Sequence, residues 1–309
     1  MPLYLSEADV ASLLEPADAV DLVEASFRRF AAGSVAIVPR ERLPIGDGYL
    51  AVMPAVDEEL GFAGLKAYAV AGGGATFAVL LFSTDDGSLA AIVEADHLGR
   101  LRTGAASAVA VRHLARPGAT SLGVIGCGRQ AETQVAAIRA ALPALERVVV
   151  SCRTPERLAA FCRKHDAEAA ISPQDAAECD VVVTVTSSSD PVLRGDWLRP
   201  GALVCAVGAN RAQARELDNE VLRRATFVCC DSREQARRES GDLIDPVAAG
   251  VLDWLEVHEL QEVVAGELSG RTRDEDIVVF KSNGLAAWDL AVAAEALSRA
   301  RATGVGREL

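Results

Sequence analysis

The ten residues 122–131, reading Leu-Gly-Val-Ile-Gly-Cys-Gly-Arg-Gln-Ala, constrain this chain more than any other stretch. They open as a short apolar run suited to a buried parallel strand, turn through Gly126 and Gly128, and enter a helical pattern at Ala131. This is the G-x-G-x-x-A form of the dinucleotide-binding fingerprint. Gly126 permits the tight turn, Gly128 leaves room for a pyrophosphate against the backbone, and Ala131 lets the helix pack close to the strand. The helix N-terminus then offers its free N–H groups and positive dipole end to phosphate. Glycine turns are common, so context decides. Here a strand precedes, a helix follows over 131–142, and a second strand comes next at Arg147–Ser151.

The rest of the chain falls into two rhythms. Ser6-Glu7-Ala8-Asp9 resembles a capping box, and Pro16 suits the first turn of a second helix carrying Val20, Val23, Phe27 and Phe30 at helical spacing. Strands are expected over 36–43, 49–53, 64–70, 76–82 and 89–94. Short turns between them, at Gly46-Asp47-Gly48 and Asp85-Asp86-Gly87, imply an antiparallel or mixed sheet. A helix is expected over 96–114. From Thr120 strands and helices alternate, with strands at 122–125, 147–151, 181–185, 202–207 and 226–230, which argues a parallel, doubly wound sheet. A late strand at 277–280 and a long Ala-rich helix at 285–303 close the pattern.

Composition narrows the function classes. The 309 residues are 50% hydrophobic and carry a net charge of −13 with no basic run. A sizeable core is therefore expected, and nucleic acid and anionic membrane surfaces are poor partners. The N-terminus lacks the pattern of a signal peptide, and no apolar run is long enough to span a bilayer. The seven cysteines include no C-x-x-C pair and read as small buried hydrophobes in a reduced cytoplasm, without disulfides. The four histidines show no ligand spacing, so no metal site is expected.

Several polar residues fit a plain core poorly. Arg40 follows Pro39 in the middle of an expected strand, and Lys66 interrupts the small and apolar run Gly64-Leu-Lys-Ala-Tyr-Ala-Val. By residue type alone each reads as a surface charge on a half-exposed strand. Arg100 and Arg102 precede Thr103-Gly104-Ala105-Ala106, small residues that allow close backbone approach beside a cation. Thr184, Val185 and Thr186, and after the next strand Val207, Gly208 and Asn210, fall at the carboxyl edge of the expected sheet, where open α/β sheets bind ligands. NAD-preferring domains place an acidic residue at the end of the second strand; here the chain reads Val150-Ser151-Cys152-Arg153-Thr154. Arg153 and Thr154 are suited to a 2′-phosphate, so NADPH is expected over NADH; otherwise Arg153 is a solvated loop charge.

The pieces Val38-Pro39-Arg40, Gly64-Leu65-Lys66, Arg100-Leu101-Arg102-Thr103-Gly104-Ala105-Ala106-Ser107, Gly126-Cys127-Gly128-Arg129-Gln130-Ala131, Val207-Gly208-Ala209-Asn210, Arg215-Glu216-Leu217-Asp218, Gly241-Asp242 and Lys281-Ser282-Asn283-Gly284 follow one another over nearly the whole chain. In this order they resemble the ornithine cyclodeaminase and mu-crystallin family. The resemblance implies a homodimer. Residues 1–115 with 284–309 would form an α+β substrate-binding and dimerisation domain, and residues 116–283 a Rossmann domain for NAD(P). It implies hydride transfer between α-imino and α-amino acids, with Arg40, Lys66 and Arg102 at substrate and Lys66 and Asn210 in catalysis. The cofactor set would be Thr103, Gly126, Cys127, Gly128, Arg129, Gln130, Ala131, Arg153, Thr154, Thr184, Val185, Thr186, Val207 and Gly208. Cyclodeaminase-like and alanine-dehydrogenase-like members carry an aspartate where this chain has Asn210, and cyclodeaminases a glutamate where it has Ala51. Both departures favour NAD(P)H-dependent reduction of cyclic ketimines, such as 1-pyrroline-2-carboxylate or 1-piperideine-2-carboxylate. The alternatives are an open-chain amino-acid dehydrogenase, an ornithine cyclodeaminase, and a non-catalytic NADPH-dependent binding protein. As a turn residue, Asn210 needs no catalytic role.

Overall fold

A computed structural model describes all 309 residues. The chain forms two compact units, Met1–Arg102 with Gly284–Leu309, and Thr103–Asn283. No helix is long and apolar enough to cross a membrane.

The first unit opens with β1 (Leu3–Leu5), α1 (Glu7–Leu13) and α2 (Pro16–Ala31). Ser6 and Asp9 form the capping box of α1, and Pro16 occupies the first turn of α2. Ala19, Val20, Val23 and Phe27 turn one stripe of α2 into the core, while Phe30 stays half-buried. Then come β2 (Val35–Ile37), β3 (Glu41–Ile45), β4 (Gly48–Asp57), β5 (Phe62–Ala71), β6 (Gly74–Ser83) and β7 (Leu89–Glu94). The single strand expected over 36–43 is two. Both β2 and β3 pair antiparallel with β4, and Val38-Pro39-Arg40 lies between them. Proline has no N–H for the ladder, so pairing stops there and resumes after it. Arg40 is therefore outside the ladder, not mid-strand. Helix α3 (Asp96–Leu114) contains the first boundary between the units, which falls at 102/103 rather than after residue 115.

The second unit alternates β8 (Ser121–Ile125), α4 (Arg129–Ala141), β9 (Arg147–Ser151), α5 (Pro155–His165), β10 (Glu168–Ala169), α6 (Pro173–Ala177), β11 (Val181–Thr184), β12 (Leu203–Ala206), α7 (Asn219–Arg224) and β13 (Phe227–Cys230). It continues through α8 (Arg233–Glu239), α9 (Gly241–Ala248), β14 (Val257–Glu259), α10 (Leu260–Val264) and β15 (Val278–Lys281). All of its strands are parallel, in the order β10-β9-β8-β11-β12-β15-β13-β14. Strands β11, β12 and β15 are buried along their whole length, as Val-rich runs covered on both faces should be. The order reverses between β8 and β11. In open parallel sheets that switch point opens a crevice at the carboxyl ends of the strands.

The chain returns to the first unit with α11 (Ala286–Thr303) and β16 (Arg307–Glu308). Its sheet runs β16-β1-β7-β6-β5-β4-β2, with β3 also on β4, and is antiparallel except where β1 meets β7. Helix α11 packs on α2, β4, β5 and β6, with Trp288 against Phe27 at 5.1 Å between ring centroids. Period-two alternation turns Ala51, Met53 and Ala55 of β4, and Lys66 and Tyr68 of β5, to the buried side.

Candidate active site

Two constellations stand out, one in each unit. In the first unit Met53 and Lys66 are directly paired across β4 and β5, so the lysine follows the strand alternation inward instead of facing water. It is 3% exposed. Its Nζ donates to Asp289 Oδ1 at 2.7 Å, and Arg102 Nε donates to the same oxygen at 3.1 Å. Arg102 also lies over the Trp288 ring at 5.8 Å. The buried Arg40 donates from Nε to Met53 Sδ and from Nη2 to the Gly284 carbonyl. Gly284 has φ +85°, and a Cβ there would meet Arg102 Nη1 at 2.6 Å, so glycine serves both the turn and the guanidinium. Asp289 is fully buried, and its second oxygen, Oδ2, accepts no hydrogen bond. Burial pulls Lys66 down to a pKa of about 8; Asp289 opposes that shift, while Arg102 and Arg40 reinforce it. The sequence brought Arg40, Lys66 and Arg102 forward but passed over Asp289. Its only signal was an acid in the apolar first half of a long helix.

In the second unit the fingerprint residues leave β8 as expected. Gly126 has φ +123°, and a Cβ there would meet the Val185 carbonyl oxygen at 2.4 Å. A Cβ on Gly128 would meet nothing within 4 Å. Gly128 is the N-cap of α4 and supplies no side-chain cap to that helix. Ala131 is fully buried, and Arg129 is exposed beside the turn. An uncapped helix start facing open space fits a dinucleotide pyrophosphate. Arg153 and Thr154 are exposed at the end of β9, where no acid stands. Thr103 lies in α3, and its carbonyl accepts from Gln134 Nε2 of α4 at 3.2 Å.

Cys127 and Cys152 are joined in a disulfide, which corrects the reading of all seven cysteines as unpaired. They follow β8 and β9, adjacent parallel strands, and their Cα atoms are 5.7 Å apart, within the span of a disulfide. The two cysteines are 25 positions apart in sequence, and only the sheet order reveals their proximity. The other five cysteines are free and buried.

At the next exits of the sheet, the Thr184 and Thr186 hydroxyls are directed to Glu216 rather than outward. Thr184 is 0% exposed. Val185 is buried, while Val207, Gly208 and Asn210 are partly open. No three His, Cys, Asp or Glu side chains are grouped to hold a metal ion.

These features define an α/β protein with a doubly wound, dinucleotide-type parallel sheet and a mixed-sheet unit enclosing a buried cation cluster. Residues 2–304 match the ornithine cyclodeaminase/mu-crystallin family, and the chain belongs to it. It is 34% identical to alanine dehydrogenase of Archaeoglobus fulgidus over 318 aligned positions, covering 99% of this chain and 98% of that protein. Its structure is similar to Δ(1)-pyrroline-2-carboxylate reductase of Thermococcus litoralis, solved with NADH and L-proline, at TM-score 0.92 and 30% identity, covering 99% of this chain and 100% of that one. An archaeal alanine dehydrogenase dimer with bound NAD is similar at TM-score 0.93 and 33% identity, covering 100% and 98%.

Proposed function

We propose that this chain is an NAD(P)-dependent oxidoreductase acting on C–N bonds, and that it reduces small α-imino acids. The substrates are cyclic ketimines such as 1-pyrroline-2-carboxylate or 1-piperideine-2-carboxylate. The observation that carries this reading is the buried group of Arg40, Lys66, Arg102 and Asp289. A carboxylate taken out of water needs cationic hydrogen-bond donors, and guanidinium forks bind it with fixed orientation. Asp289 Oδ2, buried and accepting no hydrogen bond, suits the N–H of an iminium. Lys66, with a pKa of about 8, can hold or give a proton near neutral pH.

The dinucleotide, when bound, supplies the hydride. Residues 126–131 would hold its pyrophosphate, and Arg153 with Thr154 a 2′-phosphate, which supports NADPH as the cofactor. Thr103, Val185, Thr186, Val207 and Gly208 would line its path. Thr184 would act only through its loop, since its hydroxyl is committed to Glu216. Asn210 cannot ionise, so it orients by hydrogen bonding. An amino acid must lose an ammonium proton before oxidation, whereas an iminium accepts hydride without that step. Asn210 therefore supports the reductive direction. A homodimer is supported by the archaeal relative's dimer and by the outward Leu43 and Ile45 of β3, 61% and 44% exposed.

An open-chain amino-acid dehydrogenase is the second reading, favoured by the A. fulgidus alanine dehydrogenase likeness. Loss of nicotinamide absorbance decides between them when the two cyclic ketimines, and pyruvate with ammonia, are each offered with NADPH or NADH. Turnover of a ketimine with NADPH preferred is the expected result. Turnover confined to pyruvate with ammonia would favour the second reading, and binding without turnover would defeat both.

A further inference from the structure

Glu216 is 0% exposed and sits late in the connection between β12 and α7, and its carboxylate collects five donors from the end of β11 and the start of its own connection. Thr184 Oγ1 donates at 3.0 Å, Thr186 N and Oγ1 at 2.6 and 2.7 Å, Gly208 N at 2.7 Å and Ala209 N at 3.3 Å. The first three come from the exit of β11 and the last two from the exit of β12. These strands are neighbours on the same side of the switch point. A Cβ on Gly208 would meet Thr186 N and O, both at 2.4 Å, and Glu216 Oε1 at 2.5 Å, so the two loops touch over the carboxylate.

Glu216 is itself held from behind. Its own N–H and that of Leu217 donate to Asp242 Oδ1 at 2.7 and 2.9 Å. Lys281 Nζ lies 3.2 Å from Asp242 Oδ2. That contact is ionic rather than an aligned hydrogen bond, because Oδ2 has no hydrogen-bond partner. The same ammonium donates to the carbonyls of Ala209 at 2.5 Å and Ala206 at 3.3 Å. The circuit thus closes on the segment that presents Gly208 and Asn210. All three charged residues are 0% exposed. Two oxygens facing five donors require an acceptor-only group; an amide would turn two N–H groups toward donors.

We propose that Glu216 is the positioning residue for dinucleotide binding: its carboxylate fixes the loops leaving β11 and β12 in the geometry that receives the cofactor. This rests on the dinucleotide reading above. Glu216 has no exposed surface and acts through Thr186 and Gly208.

The test is dinucleotide affinity, read from nicotinamide fluorescence, in wild type, Glu216→Gln, Thr184→Val and Thr184→Ser, with thermal melts of each. Leaving buried donors without their acceptor should raise the NADPH Kd of Glu216→Gln about tenfold or more. The KM for the imino acid should stay within about twofold, and the melt should stay cooperative. Thr184→Val removes one of the five donors from a side chain with no surface, so it should raise Kd in the same direction, and Thr184→Ser should restore it. A folded Glu216→Gln with wild-type Kd would overturn the proposal. So would equal effects on both KM values, which a merely structural strut would give. If Glu216→Gln does not fold, the Thr184 pair decides: wild-type affinity in Thr184→Val, or no rescue by Thr184→Ser, overturns it. Failure of the wild type to bind either dinucleotide would instead defeat the underlying reading, and this proposal with it.

Discussion

At the scale of single residues, Asp289 governs the first constellation. Its carboxylate raises the proton affinity of Lys66 against the pull of burial, Arg102 and Arg40. Asp289→Asn removes that opposition, so the Lys66 pKa must fall further below about 8. If the ammonium form binds substrate, kcat/KM is highest below that pKa and falls as pH rises through it. The variant should lose activity on the alkaline side at lower pH than wild type, and be more than about tenfold weaker at pH 8. A kcat/KM profile from pH 6 to 10 measures this. An alkaline limb that does not move would remove Asp289 from control of Lys66. Lys66 was visible in the sequence because it interrupts a small and apolar run, Arg40 because it follows Pro39 in an expected strand, and Arg102 because it precedes small residues. Asp289 was not, because one acid on a long Ala-rich helix resembles an ordinary exposed position until the helix is found buried almost all round.

Among elements, legibility followed the length of the apolar pattern. Helix α3 and strands β7 and β9 lie where the sequence placed them, and α11 differs by one residue. Their periodicity is long, or is bounded by proline or glycine. The break at Pro39 is not legible because no turn signal separates Val38 from Leu43, and the missing N–H matters only once β4 is known to be the shared partner. The short helices α7 to α10 had too few turns to show a period, and α9 carries Pro246 in its interior. The Glu216, Asp242 and Lys281 circuit belongs to this class: its members lie in three sequence regions, and only strand order joins them. The same holds for Cys127 and Cys152. Titration of the unreduced, denatured chain should therefore find five free thiols, rising to seven after reduction. Seven before reduction would show the pair unlinked and restore the reading made from sequence.

For the whole molecule, the glycine fingerprint and the strand–helix alternation made the parallel sheet legible, and short-turned strands made the mixed sheet legible. Substrate identity was not, because the side chains around a ligand come from segments far apart in sequence. The central claim is that the buried cations of the first unit recognise a carboxylate on an imine. The most direct measurement compares NADPH-dependent reduction of 1-pyrroline-2-carboxylate with that of 1-pyrroline, the same ring without the carboxylate. Loss of a charged partner in a buried site costs roughly 2–5 kcal/mol, so kcat/KM for the acid should exceed that for the bare ring by more than about tenfold. The gap should shrink in Arg102→Ala. Equal kcat/KM for the two rings in the wild type would contradict the assignment of Arg40, Lys66 and Arg102 to the substrate.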